Sequence, residues 1–130
     1  VTLYVTAAFS QDTSCYTSIK YGDNPEAGKF ANVNGIKMYY ETYGDPAKQP
    51  LLLIHQNGGS IFFDRCQIEY FKDRYYVIAA ESRFHGKSDN GSETLTYDLM
   101  AKDYNALLNF LQIESVYIIG YSDGGIIGLV

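Results

Sequence analysis

The sequence predicts an α/β fold in which an N-terminal β-hairpin is followed by a mostly parallel sheet with flanking helices. Short, continuous apolar runs at Leu51–Ile54, Tyr75–Ala80 and Val116–Gly120 are typical of strands buried on both faces of such a sheet. Before the third run, the segment from Thr96 to about Leu111 has apolar residues at every third or fourth position, which is typical of a helix packed on a sheet. Strands that alternate with helices after an opening hairpin indicate the α/β class.

The hairpin is predicted from two segments, Phe30–Val33 and Ile36–Tyr43, which flank Asn34-Gly35. Asn-Gly favours a two-residue turn because both central residues of that turn need a positive φ. Residues 11–29 are polar and rich in turn-forming residues, so we interpret them as a linker. The region 30–130 then forms the folded domain.

Two helices are predicted between the buried strands. The first spans about 61–72 with Ser60 as its N-cap, and the second begins at its N-cap, Thr96, and ends near Leu111. Asp98 and Asp103 lie on the polar side of the second helical pattern, so we expect both carboxylates to be solvated.

Composition limits the partners. The 130 residues carry a net charge of −5, which argues against binding through nucleic-acid phosphates or anionic lipids. No segment has the length and apolar character of a transmembrane helix, so we expect no stable membrane insertion. The oligomeric state is not predicted.

The first residues suggest a targeting signal. Residues 1–9 are uncharged and mostly apolar, and Ala8-Phe9-Ser10 offers small residues where a signal peptidase reads them. We interpret 1–10 as the remnant of a secretory signal, with an N-terminal strand as the alternative. Export predicts a periplasmic or secreted protein, and a cytoplasmic one is the alternative. Cys15 and Cys66 are compatible with one disulfide in an oxidising compartment or with two thiols.

The most informative stretch is Gly120-Tyr121-Ser122-Asp123-Gly124, between a buried strand and a second apolar run. The glycines leave room for a strained turn that larger residues would block. Ser122 then sits at the apex with its hydroxyl open to a substrate, and the following helix directs N–H groups toward the same place. The pattern predicts a nucleophile elbow.

Three motifs in this order resemble the α/β-hydrolase fold family, over about residues 30–130. They are Leu51-Leu52-Leu53-Ile54-His55-x-Asn57-Gly58-Gly59, Arg83-x-His85-Gly86-Lys87-Ser88 and Gly120-Tyr121-Ser122-Asp123-Gly124-Gly125. The Ser-Asp-Gly-Gly form is most similar to the esterase-like branch that includes the biphenyl-hydrolase-like proteins.

The resemblance implies acyl transfer with Ser122 as the nucleophile, on a small-molecule ester or related acyl substrate. It implies an oxyanion hole made by the backbone N–H groups of Asn57 and Asp123. No metal or organic cofactor is implied. His55, Arg83 and His85 match positions that support the loops around the site.

The sequence departs from the family pattern at three positions. Gln56 and Phe84 replace glycines, and Glu81 stands, offset by Ser82, for an aspartate. A non-catalytic binding module of the same fold is therefore the alternative function, with Gln56 and Phe84 as signs of relaxed constraint. Dehalogenases and epoxide hydrolases are disfavoured because they use an aspartate nucleophile where this chain has Ser122.

The family's catalytic acid and histidine follow the serine in the chain. Here no histidine follows His85, and the only acidic residue after Ser122 is Asp123, its neighbour. The resemblance therefore implies a truncated α/β-hydrolase fold whose acid, histidine and cap lie outside these residues. We expect the chain alone to be inactive.

Overall fold

The computed structural model describes Cys15 and residues 17–130, so the predicted signal remnant at residues 1–10 lies outside it. In this part of the chain, one five-stranded sheet is flanked by helices. The strands are β1 (Gly28–Val33), β2 (Ile36–Tyr43), β3 (Pro50–Ile54), β4 (Tyr76–Ala80) and β5 (Tyr117–Gly120). The helices are α1 (Arg65–Phe71), preceded by a 3₁₀ turn at Ile61–Asp64, α2 (Tyr97–Phe110) and α3 (Asp123–Ile127).

The sheet order is β1-β2-β4-β3-β5. The hairpin strands pair antiparallel, β2 also pairs antiparallel with β4, and β3 pairs in parallel with both β4 and β5. The predicted α/β class is confirmed, with parallel strands after an opening hairpin. The carboxyl ends of β3, β4 and β5 meet at one edge of the sheet, where ligands bind in open α/β folds.

The hairpin turn has the predicted geometry. Asn34 and Gly35 have φ values of 42° and 78°, and Val33 pairs directly with Ile36. Both central residues of the turn therefore have the positive φ that a two-residue hairpin needs. The strand begins two positions earlier than predicted, at Gly28 rather than Phe30.

Alternating residues of the central strands enter two separate cores. On one face, Leu52 and Ile54 of β3 pack in a cluster with residues of α2 and α3. On the opposite face, Leu51 and Leu53 pack with Ile68 of α1. Because successive side chains of a strand point to opposite faces, a strand covered by helices on both sides is apolar throughout.

The helices differ in how well the sequence predicted them. Thr96 caps α2 as expected, since its hydroxyl accepts a hydrogen bond from the N–H of Leu99 at 3.1 Å. Ser60 is the N-cap residue of the 3₁₀ turn as predicted, with an extended backbone, but its side chain makes no capping hydrogen bond. The N–H of Ile61 donates instead to Oε1 of Glu81, at 3.4 Å. None of the described helices is long and apolar enough to cross a membrane.

Residues 21–24 are attached to the fold, which the interpretation of 11–29 as a linker did not anticipate. Tyr21 is buried, and the backbone N–H groups of Gly22 and Asn24 donate to the carboxylate of Glu41. The hydroxyls of Tyr39 and Tyr43 donate to the same carboxylate. Glu41, fully buried on β2, is thus satisfied by four donors and holds this segment on the sheet.

A disulfide between Cys15 and Cys66 joins the N-terminal segment to α1. Their Cα atoms lie 5.5 Å apart, within the usual range for a disulfide. Of the two alternatives that the sequence left open, the structure contains the disulfide.

Candidate active site

The backbone at Ser122 turns sharply between β5 and α3. Its φ of 53° and ψ of −118° lie outside the regions that residues with a Cβ ordinarily adopt. The Ser122 side chain is exposed, and its hydroxyl makes no hydrogen bond to any described residue. Strain of this kind persists only where the surrounding structure enforces it.

Two glycines provide the close packing that enforces the turn. A Cβ at Gly124 would overlap the carbonyl oxygen of Ile54, and a Cβ at Gly120 would overlap the backbone of Gly124. The N–H of Tyr121 donates to the same Ile54 carbonyl at 3.1 Å. The start of α3 is therefore pressed against the end of β3, and the elbow is fixed to the loop that follows β3.

That loop, residues 55–60, carries the second predicted N–H donor of the site. The backbone N–H groups of Asn57 and Asp123 donate to no acceptor in Cys15 or residues 17–130. Both residues line a cavity of about 610 Å³. Its other walls come from the start of α2, from α3 and from the loop after β4. Ser122 is not among the residues that line this cavity.

His55 is buried between the two loops, and both its ring nitrogens are engaged. Nε2 accepts from the N–H of Ser82 at 3.0 Å, and Nδ1 therefore carries the proton and donates to the carbonyl of Gln56 at 2.7 Å. Burial lowers the pKa of His55 to about 4. The ring is a neutral link between the loop after β3 and the loop after β4.

His85 forms a second link between the same loops. Its Nδ1 donates to the carbonyl of Arg83 at 2.9 Å, which leaves Nε2 to accept from the N–H of Gly58 at 3.0 Å. The side-chain oxygen of Asn57 lies 3.4 Å from the same Nε2. The rings of His55 and His85 are neighbours, with centroids 5.0 Å apart.

Arg83 forms a buried ion pair with Asp103 of α2. Nε and Nη2 of Arg83 donate to the two carboxylate oxygens at 2.6 and 2.8 Å, and both side chains are 1% exposed. The expectation that Asp103 is solvated is therefore wrong. Asn34 donates to the same carboxylate at 3.0 Å. Among the described residues, Nη1 of Arg83 has no hydrogen-bond partner and lies 3.8 Å from the carboxylate of Glu93.

The three departures from the family pattern have different surroundings. Glu81 is buried, accepts from the N–H of Lys87 at 2.5 Å, and has a pKa raised mainly by burial. Phe84 is exposed and has a φ of 65°, a conformation that suits glycine better than a bulky residue. Gln56 is half-buried and packs against Gly59, where an added Cβ would lie 3.1 Å from its side-chain carbon.

Sequence reasoning missed one contact at the elbow. The hydroxyl of Tyr97, at the start of α2, donates to Oδ1 of Asp123 at 3.1 Å. The proximity of α2 to α3 depends on the sheet order, which the helix pattern does not contain.

Comparison with known proteins identifies the class. The family model described as alpha/beta hydrolase fold matches residues 49–130. This chain therefore belongs to the α/β-hydrolase fold family, as its motifs predicted.

The relatives and structural neighbours include several hydrolases. The chain is 34% identical over 98 residues to the uncharacterized hydrolase YugF of Bacillus subtilis, covering 75% of this chain and 36% of YugF. It is 32% identical over 93 residues to 3-oxoadipate enol-lactonase 2 of Acinetobacter baylyi, covering 72% of this chain and 35% of that protein. The crystal structure of the enol-lactonase from Burkholderia xenovorans LB400 matches with a TM-score of 0.75 at 23% identity, over 78% of this chain and 40% of that one. The chain thus spans about a third of the length of the curated relatives it matches.

Proposed function

We propose that this chain carries the nucleophile and the oxyanion hole of a serine hydrolase that acts on a small carboxylic ester or a related acyl compound. The observation that carries the proposal is the strained backbone at Ser122, at the start of α3. The N–H group of Asp123, the next residue, and that of Asn57, in the loop after β3, have no acceptor among the described residues. The hydrolase names of the relatives support the same class of chemistry.

In the proposed reaction, Ser122 Oγ attacks the carbonyl carbon of the substrate. A C–O bond forms, the π electrons of the carbonyl move onto its oxygen, and the N–H groups of Asn57 and Asp123 donate to that oxyanion. Each such donor is worth on the order of 3 kcal/mol of transition-state stabilisation. A general base takes the proton of the Ser122 hydroxyl during the attack and passes it to the leaving oxygen as the tetrahedral intermediate collapses, so the leaving group departs as the alcohol. Water, activated by the same base, then hydrolyses the acyl-enzyme.

We assign His55, Arg83 and His85 to loop support rather than to proton transfer. Both ring nitrogens of each histidine already have partners, and Arg83 is held by Asp103. A general base must be within hydrogen-bond reach of the proton that it removes, and no described side chain forms a hydrogen bond with the Ser122 hydroxyl.

We therefore propose that neither the catalytic histidine nor the catalytic acid is among these 130 residues. Two points support this: the family's chain order puts both groups after the serine, and the chain covers only 35–36% of its first relatives. On this proposal the chain alone does not turn over substrate.

The test compares this chain with the product of its extended reading frame, using hydrolysis of 4-nitrophenyl acetate. We expect the chain alone to match its own Ser122→Ala variant. If the extension contains a histidine and an acid, the extended protein should hydrolyse the ester, and Ser122→Ala should lower kcat by about 10⁴-fold or more. Ser92→Ala, an exposed serine in the loop before α2, is the matched control.

An extended protein with both groups present but no Ser122-dependent turnover of any ester tested would overturn the proposal. That outcome favours the non-catalytic binding module, for which the strained Phe84 is the supporting observation. Turnover by the chain alone that is abolished by Ser122→Ala would contradict the proposal that the general base lies outside these 130 residues.

We also propose that the protein works in an oxidising compartment, in the periplasm or outside the cell. The disulfide between Cys15 and Cys66 supports this, because such bonds persist mainly in exported proteins. Mass spectrometry of alkylated protein from separated cell fractions tests it. Protein found in the cytoplasmic fraction with both cysteines alkylated would contradict it.

A further inference from the structure

The segment that links β4 to the start of α2 forms a hydrogen bond close to each of the two proposed oxyanion donors. Its His85 accepts from the N–H of Gly58, which follows Asn57, at 3.0 Å. At its other end, Tyr97 donates to the carboxylate of Asp123 at 3.1 Å. The two contacts come from a single segment, residues 81–97, although one donor lies in the loop after β3 and the other at the start of α3.

This segment is itself firmly attached at its start. Arg83 is held by two hydrogen bonds to Asp103, both residues being buried. The hydroxyl of Ser88 donates to the carbonyl of Glu81 at 2.5 Å and accepts from the N–H of Tyr39 at 2.9 Å. His85 and Tyr97 therefore extend from a base fixed to both α2 and β2.

We propose that residues 81–97 act as one brace that sets the positions of both oxyanion donors, with His85 and Tyr97 as its positioning residues. The inference rests on the proposed function for the identity of the donors. It goes beyond that function by making the alignment of the hole depend on two side chains that hydrogen-bond beside the donors, in addition to the donors themselves.

The two contacts differ chemically, which makes the brace testable. His85 must be neutral to accept from Gly58, because its Nδ1 proton is already directed at the carbonyl of Arg83. A protonated ring would have a donor at Nε2, which would release the N–H of Gly58 and face the side-chain oxygen of Asn57. Tyr97 needs only its hydroxyl, and Tyr97→Phe removes that single atom.

The first experiment measures amide hydrogen exchange at residue resolution, at micromolar concentration, in the 130-residue chain. In His85→Phe, we expect exchange at Gly58 to be about fivefold faster, the value of one ordinary hydrogen bond. His85→Gln keeps an acceptor near the Nε2 position and should retain the protection. Tyr97→Phe should speed exchange at residues 123–125 by about threefold, and Tyr117→Phe, an exposed tyrosine on β5, should not.

The second measurement uses pH and needs no mutation at position 85. Acidification that protonates the His85 ring should speed exchange at Gly58 beyond the intrinsic effect in the natural chain but not in His85→Gln. Of the charged and titratable groups nearby, His55 and Arg83, which is paired with Asp103, contact His85, and Asp98 and Asp123 line the same cavity. All are unchanged in His85→Gln, so the difference between the two proteins isolates His85.

The third measurement tests the oxyanion hole itself. It determines the affinity of the chain for phenylboronic acid, which forms a tetrahedral adduct with a serine hydroxyl. His85→Phe and Tyr97→Phe should each weaken binding by about fivefold, whereas His85→Gln and Tyr117→Phe should not. If the natural chain binds no better than Ser122→Ala, the proposed function fails, and the exchange measurements still decide whether the brace exists. Unchanged exchange in Tyr97→Phe together with no pH effect specific to His85 would overturn the brace, whether or not His85→Phe folds.

Discussion

The hairpin side and the elbow side of this sheet differ in how well their polar groups are paired and in how strained their backbone is. On the hairpin side, formed by β1, β2 and residues 21–24, the buried carboxylate of Glu41 is matched by four donors. On the elbow side, formed by β5, Ser122 and α3, the strand residues are half-buried or exposed and Ser122 has a strained backbone. Stability is therefore expected to concentrate on one side and reactivity on the other, since functional segments are drawn from the less stable parts of a fold.

The largest expected effect is the loss of Glu41. Glu41→Ala leaves two backbone N–H groups and two tyrosine hydroxyls without their acceptor in a buried site. We expect a loss of about 3–5 kcal/mol in the free energy of unfolding, measured by urea denaturation. Glu26→Ala, at an exposed position near the hairpin, is the control and should change it by less than about 0.5 kcal/mol. Equal losses of unfolding free energy in both variants would show that the Glu41 carboxylate does not stabilise the hairpin side.

On the elbow side, two adjacent glycines should respond differently to the same change. A Cβ at Gly124 would overlap the carbonyl oxygen of Ile54, whereas the nearest atom to a Cβ at Gly125 is 3.5 Å away. Gly124→Ala should therefore cost about 2–3 kcal/mol of stability by forcing the helix away from β3. Gly125→Ala should be neutral or slightly stabilising, because alanine favours a helix. Thermal denaturation of the two proteins decides; similar melting temperatures would mean that α3 is not pressed against β3.

Strain at Ser122 predicts a smaller change in the opposite direction. Ser122→Gly relieves the unfavourable φ and ψ but adds freedom to the unfolded chain, and the balance should raise the free energy of unfolding by about 1 kcal/mol. Ser122→Ala keeps a Cβ, so it should leave stability unchanged. Urea denaturation measures both. A glycine variant that is less stable than the alanine variant would show that the elbow is not strained.

The smallest expected effect is on self-association, and it concerns the two edge strands of the sheet. β5 presents Tyr117 and two isoleucines with no charged residue, whereas β1 carries the exposed Lys29. Because charges on an edge strand discourage pairing with other chains, we expect self-association through β5 rather than β1. Tyr117→Lys should reduce association in sedimentation velocity, and Phe30→Lys, an equally exposed aromatic on β1, should not. Equal behaviour of the two variants would locate the association elsewhere.

The parts of the fold that the sequence predicted well depend on local patterns. The Asn34-Gly35 turn sets the hairpin register, and Thr96 caps α2, because both effects act within a few residues. The three apolar runs gave the parallel strands, since a strand covered on both faces has no polar alternation. The elbow at Ser122 followed from two glycines whose crowding the structure shows directly.

The parts that it did not predict depend on residues distant in the chain. Asp103 looks solvated on a helical pattern, and only the position of Arg83, 20 residues earlier, explains its burial. Likewise, nothing local to Gly22 or Asn24 indicates Glu41 as their acceptor, so residues 21–24 resembled a linker. Tyr97 met Asp123 only because the sheet order brings α2 next to α3.

The sheet order also has a consequence for how the molecule folds. β4 lies between β2 and β3, so the hairpin and β3 can join one sheet only when β4, which ends at Ala80, is present to pair with both. β5 is the last of the five strands in the chain and pairs with the free side of β3, so we expect the loop at Asn57 to form before the elbow at Ser122. Pairing between strands distant in the chain is slow to form. The carbonyl of Ile54, which accepts a hydrogen bond from Tyr121, is therefore expected to be in place before the nucleophile.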